Sequence, residues 1–285
     1  MLSPYLRADD GDVRINPYLR ADDGDVPVAF NIARQVAPAP VVTPMDSLLT
    51  SRPFYVAHRL GGTEYPEHTM QGMNASIQAG FTAFEFSTYQ TRDGVFIGSH
   101  DWTTERTTGQ LHEIWNTDWS TIQTLNQPAG PIIRLEDAVA AMPEDSVLVL
   151  DHKATSATSA YNEGDRRSEG TLFDLLPTLF DNPTERVIWK LFADADSDQR
   201  AAELGYKTMV MLYPSEVAGA DLSRWDILGM EYNATQEIWN ALLATGKPTI
   251  AHIIVNSGQA ATGLSRGAHG LMSSVPSLVA PITEE

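Results

Sequence analysis

The sequence predicts an α/β protein folded as a (β/α)8 TIM barrel, with a β-hairpin extension after the second strand and an irregular N-terminal arm. Three observations predict it. Short β-rich runs alternate with helical patterns, which is how a parallel sheet with crossover helices is written. Several of the runs are continuously apolar, as strands covered on both faces must be. One run follows its predecessor too closely for a crossover helix, and setting it aside as a hairpin return strand leaves eight βα units, the count of a closed barrel. A doubly wound open sheet is the alternative. No glycine-rich phosphate loop follows any strand, which counts against it.

The arm comes first. PYLRADDGDV at 4–13 recurs identically at 17–26. Two ten-residue copies are too few for a solenoid. The DDGD cluster lacks the ligand spacing and closing Glu of a calcium loop, so an acidic arm or a partner-binding tail is the expected reading. VAPAPVVTP at 36–44 is a Pro-rich linker signal. Residues 1–50 are therefore expected to be arm and linker, and 51–285 the barrel.

The strand runs are FYVAH (54–58), TAFEFS (82–87), VFIGSH (95–100), VLVLD (147–151) and VIWKL (187–191). They continue with TMVML (208–212), ILGMEY (227–232), TIAHIIV (249–255) and HGLMS (269–273). Helical patterns cover 67–79, 135–142, 168–180, 196–204 and 235–245. Between the second and third runs stands TYQTRDG, which suits a hairpin turning at Asp93-Gly94. His100 would then return to the mouth from which Glu85 emerges.

Apolar residues make up 42% of the chain and charged residues 20%, which predicts a buried core rather than a disordered chain. The formal net charge of -18 argues against a nucleic-acid partner, whose backbone needs a basic surface. A small phosphate substrate needs only a few local cations. With no cysteine, disulfides and thiolate metal sites are excluded. No apolar run approaches the roughly 20 residues that span a bilayer. The first residues do not read as a secretory signal, because Asp9, Asp10 and Asp12 stand where an apolar core would be. Cytoplasmic and virion-associated locations both stay open, as does the oligomeric state.

Barrel enzymes carry reactive groups at the C-terminal ends of strands. Those ends here hold His58-Arg59, Glu85, His100-Asp101, Asp151-His152-Lys153, Lys190, Glu231 and Asn256. This is the equipment for phosphodiester cleavage. Carboxylates hold a divalent cation that neutralises phosphoryl oxygens, a His pair supplies base and acid, and an Arg fork grips the phosphate. The carboxylates favour a hard cation, Mg or Ca. Lys190 and Glu231 could face either the site or solvent. His152 is expected to point away from its neighbours. His252 and His269 read as structural, and Trp102, Trp115 and Trp119 as loop packing.

AHRLGGTEYPEHT resembles the opening motif of the glycerophosphodiester phosphodiesterase family, with His58, Arg59, Pro66, Glu67 and Thr69 in place and His68 where that motif has Asn. The stretch from Glu85 to Thr108 is similar to the family's long second motif through Asp93, Gly94, His100, Asp101, Arg106 and Thr107. PIIRLEDAV, LVLDHK and RGAHGLMSSVP are similar to later segments, so the resemblance spans about Pro53 to Pro276. It implies a barrel that hydrolyses glycerophosphodiesters or glycerol-phosphate polymers, as in lipid metabolism. By the same resemblance His58 and His100 are the acid/base pair, Arg59 binds phosphate, Lys153 stabilises phosphoryl charge, and Glu85 and Asp151 hold a divalent metal; Glu67 either binds substrate or phosphate or caps the helix that follows it.

One departure bears on the metal. The family's Glu-x-Asp is Glu85-x-Ser87 here, and a neutral hydroxyl is a weaker ligand than a carboxylate. Three readings follow: weak metal binding with activity, metal-independent cleavage relying on Arg59 and Lys153, or a catalytically impaired binding module, for example in a virion tail or a cell-wall-binding assembly.

Overall fold

In the computed structural model the described residues are 5–8, 11–14, 42–153 and 162–281, with side chains described in 42–153 and 168–281. The chain divides into two compact units, Met1–Val41 and Val42–Glu285. In the first, β1 (Tyr5–Ala8) and β2 (Gly11–Arg14) pair antiparallel, with Tyr5 opposite Arg14. The second copy of the repeat, 17–26, lies outside the described residues.

The second unit is the barrel. Its parallel strands are β3 (Phe54–Ala57), β4 (Ala83–Gln90), β8 (Val147–His152), β9 (Val187–Phe192), β10 (Lys207–Leu212), β11 (Ile227–Glu231), β12 (Thr249–Ile254) and β13 (Gly270–Ser273). Each pairs with the next, and β13 pairs with β3 to close the ring. The return strand β5 (Phe96–Gly98) runs antiparallel to β4, with Thr88 opposite Gly98 and Gln90 opposite Phe96. Gly94 turns the hairpin at φ 95°, a left-handed conformation that glycine adopts without a Cβ clash. A two-residue ladder, β6 (Asn126–Gln127) with β7 (Gly130–Pro131), sits in the loop that follows.

The helices are α1 (Pro44–Thr50), α2 (Met70–Gln78), α3 (Glu105–Thr108), α4 (Trp119–Ile122), α5 (Leu135–Ala141), α6 (Asn162–Leu179), α7 (Pro183–Arg186), α8 (Asp198–Glu203), α9 (Gln236–Leu243) and α10 (Ser257–Ser265). Several start where the sequence supplies a cap. Thr69 Oγ1 accepts from Gly72 N at 3.2 Å, and Asn256 Oδ1 accepts from Gln259 N at 2.9 Å. Asn256 is thus a helix cap, satisfying an amide that the first turn leaves open. The alternation lapses between β10 and β11, where only a 3-10 turn, Leu222–Arg224, is helical. That stretch carries Pro214, Gly219 and Asp221, which favour turns over a helix.

Folded structure starts earlier than Ser51. Helix α1 buries Met45 and Leu48 beneath the barrel. Two fully buried side chains of this size supply roughly 1.5–3 kcal/mol each, enough to hold a seven-residue helix that would not persist alone.

Side chains alternate along each strand between the barrel interior and the helical shell. Leu148, Leu150, Trp189, Leu191, Val210 and Leu228 pack outward with helix residues such as Met73, Leu172, Trp239 and Leu242. Val56, Ala83, Val147, Val149, Ile188, Met209, Ile250 and Met272 fill the interior, closed below by Met45 and Leu48. Phe54 is part of that interior, and its ring lies so close to Gly270 that a Cβ there would stand 2.4 Å from it.

Candidate active site

The same alternation, continued one step further along each strand, builds the site. After Phe54 and Val56 comes His58. After Ala83 come Glu85 and Ser87, and after Val147 and Val149 comes Asp151. After Ile188 comes Lys190, and after Ile250 comes His252. The lower interior is apolar and the upper interior is polar, because the inward positions change chemistry towards the C-terminal ends of the strands. His152 takes the opposite parity. Its Nε2 meets Ser168 Oγ of α6 at 2.8 Å, on the outside of the barrel, as expected.

Ser87, Asp151 and Lys190 form one row, since β4 and β8 place Ser87 beside Asp151 and β8 and β9 place Asp151 beside Lys190. Glu85 is one inward step below Ser87. The resulting cluster is buried and densely bonded. Lys190 Nζ donates to Asp151 Oδ2 at 2.6 Å and to Glu85 Oε1 at 3.2 Å. Ser87 Oγ lies 3.1 Å from that Glu85 oxygen and 3.2 Å from that Asp151 oxygen. Lys153 Nζ approaches Asp151 Oδ2 at 2.6 Å. The second Glu85 oxygen accepts from Arg59 N at 2.6 Å.

Burial by itself would push both carboxylates towards the neutral form, but Lys190 and His58 at Glu85, and Lys153 and Lys190 at Asp151, outweigh it and hold both acids below their usual range. Burial also works against the Lys190 ammonium. Asp151 and Glu85 reverse that, and its affinity for the proton is raised. For Lys153 burial wins and the shift is downward. Phe192 underlies both ammonium groups, its ring centre 5.3 Å from Lys153 Nζ and 5.4 Å from Lys190 Nζ.

The two histidines are held differently. His58 is buried and shares a 2.7 Å hydrogen bond between its Nδ1 and Ser274 Oγ. Its burial brings its pKa down to about 3, against an opposing pull from Glu85. His100 is partly exposed, with Nδ1 2.9 Å from Asp101 Oδ1. Burial would raise the Asp101 pKa, but hydrogen bonds from Arg106 and His100 bring it down, so Asp101 is ionised near neutrality and can only accept. The His100 hydrogen therefore sits on Nδ1, and Nε2 is left to accept a proton. Burial and Lys153 lower the His100 pKa while Asp101 opposes them.

Arg59 and Leu60 both take left-handed backbone angles, φ 48° and 62°, ahead of Gly61 at 105°. Non-glycine residues rarely pay this conformational cost outside functional turns. Here the turn aims the Arg59 amide at Glu85 and its guanidinium at Glu67 Oε2, 2.8 Å away. Glu67, expected to bind substrate or phosphate or to cap a helix, is bonded to two guanidinium groups. Arg106 Nη2 donates to its second oxygen at 2.6 Å, so both carboxylate oxygens serve guanidinium groups. Burial would raise its pKa, yet these partners bring it to about 2. The ionised carboxylate holds the Arg59 guanidinium in an ion pair.

His58, Arg59, His100, Lys153 and Lys190 line one cavity of about 480 Å³ at the barrel mouth. Phe192, Met211, Tyr213, Tyr232 and Glu231 complete much of its wall. Glu85, Ser87 and Asp151 are absent from that wall and lie behind the lysines. His252 is on the wall, although its sequence reads as structural, and burial brings its pKa to about 4. The signal for it was parity, since it follows inward-facing Ile250. His269 is structural, its Nδ1 accepting from Thr249 N at 3.2 Å.

The expected metal ligands, Glu85, Asp151 and Ser87, do come together, but around Lys190 Nζ. Two carboxylates already meet two ammonium groups, so a divalent cation would enter against two positive charges. These residues do not fit one. Among the described residues no three His, Asp or Glu side chains converge as metal ligands do.

Barrel and mouth together define a (β/α)8 protein whose mouth cavity is lined by Arg59, Lys153, Lys190 and two histidines. The glycerophosphoryl diester phosphodiesterase family model matches residues 58–198, so this stretch of the chain is similar to that family. An uncharacterised Mycobacterium tuberculosis protein is 30% identical over 122 residues, covering 37% of this chain and 40% of its own length. Mouse glycerophosphodiester phosphodiesterase 1 is 26% identical over 132 residues, covering 45% of this chain and 40% of its own. The chain thus matches 40% of the length of each of these curated relatives. An Oleispira antarctica phosphodiesterase, solved with the product sn-glycerol-3-phosphate, superposes with a TM-score of 0.63 at 17% identity, covering 79% of this chain and 94% of that one. At such identity the likeness is one of fold.

Proposed function

We propose that this chain hydrolyses glycerophosphodiesters, or polymers built from glycerol phosphate, at the barrel mouth. The observation that carries the reading is one cavity wall holding Arg59, Lys153 and Lys190 together with His58 and His100. Three cations suit a phosphodiester anion, and a histidine pair suits a reaction that removes one proton and delivers another.

Arg59 and the lysines bind the two unbridged phosphoryl oxygens and stabilise the charge that grows on them. His100 Nε2, freed by the Asp101 contact, takes a proton from water as its oxygen bonds to phosphorus. The bond from phosphorus to the alcohol oxygen breaks, and His58 supplies that oxygen with a proton. The bound phosphate anion favours the protonated form of His58 that this step needs. The products are an alcohol and glycerol phosphate.

Incubating the purified chain with glycerophosphocholine and with bis(p-nitrophenyl) phosphate tests the proposal. Turnover is expected, and His58→Ala and His100→Ala should each reduce it by about 10²–10⁴-fold, the range for a lost general acid or base. Inactivity on both substrates by a folded chain that still binds glycerol phosphate would replace this reading with that of a binding module.

A further inference from the structure

We infer that the Lys190 ammonium takes the place of a divalent cation in this site, so that the chain handles its phosphodiester without metal. The inference rests on reading the cavity as a phosphodiester site. It goes beyond that reading by naming the group that supplies the central positive charge.

Position is the first argument. The resemblance assigns a cation to Glu85, the residue at 87, and Asp151. In this chain Glu85 Oε1 and Asp151 Oδ2 both bind Lys190 Nζ, at 3.2 Å and 2.6 Å. Ser87 Oγ reaches the same two oxygens. The oxygens a cation would need are committed to an ammonium group.

Charge is the second. A carboxylate in the row would be left without a counter-charge once an ammonium had replaced a dication. Position 87 is a neutral Ser, and the cluster of Glu85, Asp151, Lys153 and Lys190 closes at zero. The loss of a carboxylate at 87 and the presence of a lysine at 190 are thus two halves of one exchange. Register explains how it is done, because 87, 151 and 190 are adjacent on three neighbouring strands.

Access is the third. Lys190 is almost fully buried and still contributes to the cavity wall, whereas Glu85, Ser87 and Asp151 do not. An anion in the cavity meets the ammonium first, with the carboxylates behind it. That is where a bound cation would present its open coordination positions. An ammonium has three donors and no vacant orbital, so Lys190 contributes charge and hydrogen bonds to phosphoryl oxygens but does not acidify a ligated water. The nucleophilic water then depends on a histidine base.

Calorimetric titration of the full wild-type chain with MgCl₂ and with CaCl₂ tests the inference directly. No saturable one-to-one binding is expected at millimolar ion. Hydrolysis of bis(p-nitrophenyl) phosphate should change less than about two-fold in excess EDTA, since no Lewis acid is removed. Lys190→Met should weaken binding of sn-glycerol 3-phosphate by at least about ten-fold, the loss of one charge-assisted contact. The pair Lys190→Met with Ser87→Asp should gain one-to-one Ca or Mg binding. A saturable stoichiometric ion in the wild-type chain, or activity lost in EDTA and restored by Mg or Ca, overturns the inference. The wild-type titration needs no variant to fold and no turnover, so an inactive chain that binds no ion overturns the proposed hydrolysis and leaves the exchange of cation for ammonium standing.

Discussion

Lys190 and Ser87 contact the same carboxylate oxygens, yet removing them should have unlike consequences. Lys190→Met strands two buried carboxylates with Lys153 as their remaining ammonium partner. Breaking a buried ion pair from one side costs about 3–5 kcal/mol. Ser87→Ala removes one hydroxyl shared between Glu85 and Asp151, a loss of about 1 kcal/mol, because both acids keep Lys190. Urea unfolding of the two variants, at an unchanged dependence on denaturant, checks the ordering; equal losses would mean that Lys190 carries little of the cluster. Asp101 offers a test at the reacting end of the site. Its hydrogen bond raises the proton affinity of His100 against burial and Lys153. Asp101→Ala should therefore move the acid limb of the pH profile for kcat/KM to lower pH, and cut kcat by about 10²-fold through loss of the fixed tautomer. An acid limb that stays in place would assign that limb to a group other than His100.

The turn from His58 to Gly62 shows how an element converts backbone strain into side-chain placement. Gly62 has no room for a side chain, since a Cβ would lie 2.8 Å from the Cβ atoms of both Arg59 and Glu67. Gly62→Ala should force that ion pair apart, lowering stability by about 1–3 kcal/mol and raising KM for a phosphodiester about ten-fold more than it lowers kcat. Thermal unfolding together with steady-state kinetics would show it, and an unchanged KM would remove Glu67 from the positioning of Arg59. The strands were legible in the sequence because continuous apolar runs and the Asp93-Gly94 turn are local signals. The start of folded structure at α1 was less so, because Pro44 ends a Pro-rich stretch and the burial of Met45 and Leu48 depends on a barrel floor assembled from distant strands. Within the site, His58, Arg59, His100 and Lys153 were legible from strand ends. Lys190 was not resolved, since its position beside Asp151 is set by the register of β8 against β9, and register is not written in either strand alone.

Across the whole molecule, the buried histidines set how stability responds to acid. Burial lowers the pKa of His68, His152 and His252 to about 4 and of His58 to about 3, from an ordinary 6.5. Below pH 6.5 the unfolded chain therefore binds protons that the folded chain refuses, so folding weakens as pH falls from 6.5 towards 4. Each such histidine contributes a slope of up to about 1.4 kcal/mol per pH unit. Above 6.5 both states are neutral and these groups contribute no slope. The carboxylates act in a lower window. Glu67 is brought to about 2 and Glu85 and Asp151 are also depressed, so their contribution is present above their ordinary values and lost beneath them. An opposing effect comes from the net charge of -18, because acidification relieves repulsion among surface carboxylates and favours the compact state. That term is spread over the surface and screened by salt, whereas the histidine term is internal, so at moderate ionic strength stability should fall by several kcal/mol between pH 7 and 5. His152 separates the two contributions, because it lies outside the barrel interior and against Ser168 rather than on the cavity wall. His152→Gln leaves the surface charge at pH 7 unaltered and deletes one internal titration. Its unfolding free energy should depend less steeply on pH than the wild type's by roughly 1 kcal/mol per unit between pH 6 and 5. Parallel curves for the two proteins would show that His152 is not held neutral by the fold.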